Sequence, residues 1–230
     1  MKQRIINIVI KIGDFFLRKR IIKVDSSRPV KVNLGCGLST LPEYYSLDGS
    51  PFVLLGSSIT IFNKILYLLS GGISTHNSFE FFNNFLNNNN LFYCNFNQKK
   101  LPFVSDSVDA VYTSHFLEHV NGETGLEIIK EIYRILKPGC SLRIVLPCMD
   151  KAMLYYENKD YKQFNHFFYA ANDDSFHSHK YAYNSTFLSK ILKENGFSEV
   201  VVSSFKADDF EDAKLLDSRE SESFYLTVKK

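Results

Sequence analysis

The sequence predicts an α/β fold: a seven-stranded, mostly parallel sheet with helices on both faces and an antiparallel pair at its C-terminal edge. Three observations predict it. A β-branched and apolar run, Lys31-Val32-Asn33-Leu34, ends in Gly35-Cys36-Gly37. From residue 91 onward, short apolar runs alternate with segments of helical periodicity, which implies a parallel sheet covered on both faces. The last two apolar runs, Val200 to Ser204 and Phe224 to Val228, are joined by a charged loop or short helix and complete the sheet as its antiparallel edge.

The elements follow in order. Val30 to Leu34 forms the first strand after Pro29. About eleven positions separate Gly37 from Asp48, leaving room for a short turn of helix (Leu38 to Glu43) and a second strand (Tyr44 to Leu47). A carboxylate at the end of that strand suits a ribose, so the layout reads as a nucleoside-binding turn. A dinucleotide fold usually places its acidic residue about 20 positions on, and this shorter spacing disfavours an NAD-dependent oxidoreductase.

Residues 52–90 read as a helical insertion, with an apolar helix from Ile59 to Leu69, Gly71-Gly72, and an aromatic helix around Phe79 to Leu86. Asn87 to Asn90 is a low-complexity loop. Leu91 to Cys94 is the third strand and Asp109 to Tyr112 the fourth. A helix from about Glu123 to Leu136 should stop at Lys137-Pro138-Gly139, where basic charge, Pro and Gly stand in terminating positions. Ser141 to Leu146 makes the fifth strand, closed by Pro147. Two aromatic-rich helices (Asp150 to Asn158 and Tyr161 to Ala171) and a loop with His177 and His179 come next. A helix capped by Asn184 then runs to about Glu194, with Gly196 in its C-terminal turn. Val200 to Ser204 and Phe224 to Val228 are the edge pair, joined by a loop or short helix over Lys206 to Glu222.

A chain of 230 residues, 45% hydrophobic and 23% charged, can bury one substantial core. The net charge of +2 gives no reason to expect nucleic acid as a partner. Residues 1–25 carry seven basic against two acidic side chains, leaving the remainder net negative. Within them Ile5, Ile8, Val9, Ile12, Phe15, Phe16 and Ile22 recur near a 3.6-residue period. This is a basic amphipathic helix, suited to pack on the domain or to rest on an anionic membrane surface or a partner. No apolar run approaches the roughly 18 residues that cross a bilayer. Cys36, Cys94, Cys140 and Cys148 form no C-x-x-C pair and no zinc-ligand spacing. The expectation is a reduced, cytoplasmic protein without a metal, membrane-peripheral if the N-terminal helix rests on lipid.

Several motifs occur together: Val32-Asn33-Leu34-Gly35-Cys36-Gly37, Leu101-Pro102-Phe103, Ser107-Val108-Asp109-Ala110-Val111-Tyr112, Leu117-Glu118-His119-Val120 and Glu131-Ile132-Tyr133-Arg134-Ile135-Leu136-Lys137-Pro138-Gly139. Over residues 30–230 the sequence resembles the class I S-adenosylmethionine-dependent methyltransferases. The resemblance is closest to a small bacterial branch often met among surface-polysaccharide genes. That branch shares a shortened first helix, Asp48-Gly49-Ser50, a His-x-x-x-Tyr element (His179 to Tyr183) and a closing Glu-Ser-x-Tyr strand (Glu222 to Tyr225).

The resemblance implies a Rossmann-like fold and methyl transfer from S-adenosylmethionine, with a sugar or glycan hydroxyl as acceptor. The alternative acceptors are a small metabolite or a lipid-linked molecule. A cofactor-binding partner protein with little catalysis is the reading from another class. The implied cofactor-binding set is Asn33, Gly35, Cys36, Gly37, Asp48, Gly49, Asn95, Ser114 and His115. Asn97 is the alternative to Asn95 at the adenine edge. Hydroxyl methylation benefits from a base of near-neutral pKa, and the histidines offered for it are His179, His115 and His177. Glu118 and His119 fit a loop-holding role better than a direct one.

Overall fold

The protein is described from a computed structural model, which covers residues 20–41, 43–56, 59–69, 78–169 and 178–230. Its strands are β1 (Lys31–Leu34), β2 (Tyr44–Asp48), β3 (Leu91–Tyr93), β4 (Val108–Ser114), β5 (Leu136–Pro147), β6 (Glu199–Ser203) and β7 (Ser223–Lys229). They form one seven-stranded sheet in the order β3-β2-β1-β4-β5-β7-β6. The pairs β3-β2, β2-β1, β1-β4 and β4-β5 are parallel, while β7 runs antiparallel to both β5 and β6. The direction of strand addition reverses between β1 and β4. Sheets of this kind bind ligands outside the carboxyl ends of the strands at such a reversal.

One sheet face is apolar. Val32, Leu34, Val111, Leu142, Ile144 and Leu146 are all fully buried there. Helix α4 (Gly122–Ile135) contributes Ile128, Ile129, Ile132 and Ile135 to the same core, at helical spacing. Asn121 caps this helix by accepting the Thr124 N–H at 2.8 Å. Helix α7 (Ser185–Glu194) adds Leu188 and Leu192, and its N-cap Asn184 accepts from Phe187 as its sequence predicts.

The opposite face is polar beneath its cover. Lys31, Tyr44, Tyr112 and Arg143 rise from four adjacent strands and are met by the segment 203–217, which includes the short helix α8 (Ala213–Leu216). Lys31 and the Tyr44 hydroxyl both donate to Asp212, at 2.8 and 2.5 Å. The Arg143 guanidinium is wholly buried and donates to Asp217, to the Ser203 and Thr227 hydroxyls, and to the Ser204 carbonyl.

Three sequence expectations are corrected. No helix forms among the described residues of Leu38 to Glu43, which hold turns and irregular backbone. Parallel strands usually need a crossover of about a dozen residues, and only residues 35–43 lie between these two. The β2–β3 connection supplies cover instead, through α1 (Pro51–Leu55), α2 (Thr60–Leu69) and α3 (Phe79–Leu86). Leu66, Phe82 and Phe85 from it pack against Cys36 and Leu38 of the turn.

Second, α4 ends at Ile135, just before Lys137-Pro138-Gly139 as expected, but those three residues already lie in β5, which starts at Leu136 and not at Ser141. The Arg134 and Ile135 carbonyls at the end of α4 accept from the Asp106 and Ser107 amides. With those carbonyls satisfied, the chain passes directly into the strand at Leu136, opposite Val108. Third, residues 20–25 of the expected N-terminal helix are not helical. Ile22 is instead buried in the core and its amide donates to the Pro102 carbonyl at 2.8 Å. The rest of that helix, residues 1–19, lies outside the described residues, as does Gly71-Gly72. The two aromatic helices are α5 (Met149–Glu157) and α6 (Tyr161–Tyr169).

Candidate cofactor and acceptor site

The glycine turn leaves β1 with Gly35 at φ +64° and Gly37 at φ +55°, both in the left-handed region that favours glycine. The Gly35 and Cys36 amides both donate to the Leu47 carbonyl, which folds the turn back on the end of β2. From there Asp48 reaches the turn: its Oδ2 accepts the Gly37 N–H at 2.9 Å and its Oδ1 accepts the Ser50 N–H at 2.7 Å. Burial raises the Asp48 pKa, and the Ser50 and Gly37 amides partly offset that rise. Each carboxylate oxygen keeps a further lone pair for a donor.

Space above the turn is uneven. A Cβ on Gly37 would meet nothing within 4 Å, so the backbone there is open to a ligand. A Cβ on Gly35 would come within 2.2 Å of the Phe116 ring. Phe116 in turn packs on Phe96 with ring centroids 4.3 Å apart, and Phe96 lies beside Gly49. These rings wall the space between the carboxyl ends of β1, β2 and β4. Asn95 sits next to them, and its Oδ1 caps a turn by accepting the Asn97 N–H at 3.0 Å. The Cys36 thiol is buried, and burial together with the charge of Asp48 pushes its pKa up, so it stays a protonated packing group.

A cleft of about 790 Å³ opens on the polar-face side of the turn. Asn33, Gly35, Cys36, Gly37, Ser114 and His115 line it, together with Phe81 and Phe85 of α3 and residues 215–219. Asn33 contributes by fixing the turn, its Nδ2 donating to the Ser39 carbonyl at 3.1 Å. His115 follows β4 at φ +50°, a backbone state uncommon for a residue with a Cβ and often found at functional sites. Its Nε2 lies 2.8 Å from the Ser223 hydroxyl and its Nδ1 lies 3.4 Å from Arg219 Nη1. A guanidinium only donates, so Nδ1 accepts and the ring proton sits on Nε2, facing Ser223.

The structure therefore brings seven of the expected cofactor residues to one turn and its rim: Asn33, Gly35, Cys36, Gly37, Asp48, Ser114 and His115. Gly49 and Asn95 stand beside the Phe96 ring at the far end. The other histidines fall differently. His179 is in the loop before α7, not on the cleft, with its amide held by the Phe168 carbonyl at 2.8 Å. Its ring packs on Phe167 and His119, and desolvation lowers its pKa. His177 lies outside the described residues. Sequence reasoning missed the 215–219 wall, because Leu215 to Arg219 carries no motif and is placed by distant partners: the buried Asp217 side chain on Arg143, and the Tyr112 and Tyr225 hydroxyls on the Leu216 and Ser218 carbonyls.

Residues 74–144 match the methyltransferase domain family. That match runs from α3 into β5 and includes Leu117-Glu118-His119, but not the glycine turn or Asp48. No curated protein matches the sequence significantly. Among solved structures, an S-adenosylmethionine-dependent methyltransferase from Archaeoglobus fulgidus is 14% identical, with 98% of this chain and 94% of that one covered and a TM-score of 0.49. Another from Thermotoga maritima is 14% identical over 100% and 95% of the two chains, with a TM-score of 0.48. A third, from Methanosarcina mazei, is 15% identical over 91% and 99%, with a TM-score of 0.48.

Proposed function

We propose that this chain is an S-adenosylmethionine-dependent methyltransferase acting on a hydroxyl of a sugar or glycan precursor. The observation that carries the donor half is the Asp48 carboxylate, joined to the Gly37 amide at 2.9 Å where the strand order reverses. The residues present fit the cofactor. Open backbone at Gly37, a carboxylate with spare lone pairs, and aromatic walls at Phe96 and Phe116 suit a nucleoside with two ribose hydroxyls and a flat base. The match of residues 74–144 to the methyltransferase domain family supports the same reading.

When bound, the cofactor supplies a methyl group already activated by its sulfonium, so the protein's task is alignment and exclusion of water. His115 is the histidine that lines the cleft among the described residues. Ser223 holds its Nε2 and Arg219 approaches its Nδ1, so a hydroxyl that displaces Arg219 would give its proton to Nδ1. The acceptor class rests on the resemblance in sequence, and the 790 Å³ cleft leaves room for a sugar-sized molecule.

The test has two arms. Calorimetry with S-adenosylhomocysteine should give saturable heat that Asp48→Ala reduces strongly; absent heat would sink the donor assignment. Incubation with methyl-labelled cofactor and a panel of nucleotide sugars and glycans should label a sugar oxygen. Label appearing only in a small metabolite or a lipid would replace the acceptor assignment.

A further inference from the structure

The side chain of Glu118 is only 2% exposed, yet neither of its carboxylate oxygens has a hydrogen-bond partner. A buried carboxylate is held only at high cost unless something nearby satisfies its oxygens. The polypeptide holds Glu118 firmly: its backbone carbonyl accepts from both Lys180 (2.7 Å) and Tyr181 (3.2 Å). Those bonds clamp the Leu117-Glu118-His119 turn to the 178–183 loop and bring His179 to the carboxylate.

In their neutral tautomers the imidazoles around Glu118 turn lone pairs, not protons, towards it. His119 Nδ1 lies 3.3 Å from the Ser178 carbonyl, to which it can only donate. That leaves Nε2, 3.8 Å from Glu118 Oε1, as the bare nitrogen of the neutral ring. His115 Nδ1, 3.4 Å from the same oxygen, is an acceptor because Arg219 also approaches it. His179 Nδ1 is buried with no partner. One ligand atom each from Glu118, His119 and His179 lies within 4.8 Å of the others. Electron pairs converging on one buried point call for a cation between them.

We propose that Glu118, His119 and His179 form a divalent transition-metal site of the two-histidine, one-carboxylate type. Two imidazoles favour zinc, cobalt or a neighbouring ion over magnesium or calcium, which take oxygen ligands. Tetrahedral zinc with bonds of roughly 2.0–2.2 Å sets its ligand atoms about 3.4 Å apart. Side-chain shifts on the order of 1 Å therefore close the site. The Ser178 carbonyl on His119 Nδ1 is the kind of outer partner that fixes the tautomer of a metal-bound histidine. Three protein ligands leave a coordination position for water or substrate. The ion would pin the Leu-Glu-His turn to the His-x-x-x-Tyr loop, accounting physically for two motifs that the cofactor site does not use. This site goes beyond the proposed methyl transfer and does not depend on it.

The experiment uses full-length, tag-free protein stripped with a chelator, and reads metal uptake, not activity. Cobalt titration should give one equivalent of visible ligand-field absorption, which zinc displaces and millimolar magnesium does not. Glu118→Gln and His119→Asn should each weaken uptake at least tenfold, with folding checked by circular dichroism. His119 is 27% exposed, so its variant decides the matter if Glu118→Gln does not fold. No saturable cobalt uptake by the parent protein, or uptake unchanged in the folded variants, overturns the proposal. Displacement by magnesium overturns the assignment of the ion class.

Discussion

The Asp48 carboxylate accepts the Gly37 amide at 2.9 Å, tying the end of β2 to the turn that leaves β1. Because Oδ1 is held in the same way by Ser50, the carboxylate is oriented before any ligand arrives. Preorganised acceptors of this kind hold affinity that a free side chain would lose to ordering. Asp48→Ala removes two charge-assisted acceptors, each about 1.5 kcal/mol or more. Affinity for S-adenosylhomocysteine should then fall on the order of a hundredfold. Titration calorimetry measures it, and an unchanged Kd would remove Asp48 from the site.

The same carboxylate sets a pH dependence. Burial places its pKa above the usual 3.8 in the free protein, while accepting two hydroxyls requires the ionised form. Affinity should be full at neutral pH and decline as pH falls through that raised value, by roughly tenfold per unit once the acid form dominates. The ligand's own ionisation is removed by comparing the parent with Asp48→Asn, whose weaker binding should lack the acid limb. Parallel pH curves for the two proteins would exclude this origin.

Gly35 and Gly139 separate space from backbone strain. Both have positive φ, +64° and +76°, but a Cβ at Gly35 meets the Phe116 ring at 2.2 Å while one at Gly139 meets nothing within 4 Å. Gly139→Ala should cost only the left-handed penalty of about 1–2 kcal/mol. Gly35→Ala must also displace Phe116 from Phe96, and should lower both Tm and cofactor affinity further. Thermal melts of the two variants, with and without S-adenosylhomocysteine, make the comparison; equal losses would remove Phe116 as a wall of the site.

Much of this fold is legible because its signals are local. Val32 and Leu34, the Asn184 cap and the isoleucines of α4 state their own conformations. What is not legible depends on distant partners. Leu38 to Glu43 has a helix-compatible pattern, but the helices that cover the turn come from residues 52–90, and the short crossover stays irregular. Lys137-Pro138-Gly139 marks the end of α4, but nothing local reveals that Asp106 and Ser107 already satisfy the α4 carbonyls and that β5 has begun at Leu136. Arg143, in a strand, reads as an exposed charge until Asp217, 74 residues on, is placed beside it. In the site, Gly35, Gly37 and Asp48 stand close in sequence and could be read together. The Glu118, His119 and His179 cluster could not, since two backbone bonds from residues 180 and 181 create it.

Arg143 and Asp217 are both wholly buried and paired, and the Asp217 backbone contributes to the cleft wall. Arg143→Met strands the carboxylate and should cost about 3–5 kcal/mol, a fall in Tm on the order of 10 °C. Because the penalty comes from the unpaired charge, Arg143→Met combined with Asp217→Leu should recover at least half of it. Differential scanning calorimetry of the single and double variants measures the recovery. No recovery would mean that Arg143 acts mainly through Ser203, Ser204 and Thr227.

His115 and Ser223 test the base. His115→Gln removes the Nδ1 lone pair, and kcat should fall by about 10² or more. Ser223→Ala leaves that lone pair in place but removes the acceptor 2.8 Å from Nε2. The ring then loses one of the two contacts that hold its orientation, and kcat should drop about tenfold. Ser223→Thr keeps the hydroxyl and should restore most of the rate, which a purely steric role for Ser223 would not produce. In Ser223→Ala the cofactor KM should stay near the parent value, because Asp48 and the glycine turn are untouched. Steady-state kinetics of the parent and the three variants separates the cases. A His115→Gln enzyme that keeps its rate would move the proton acceptor elsewhere.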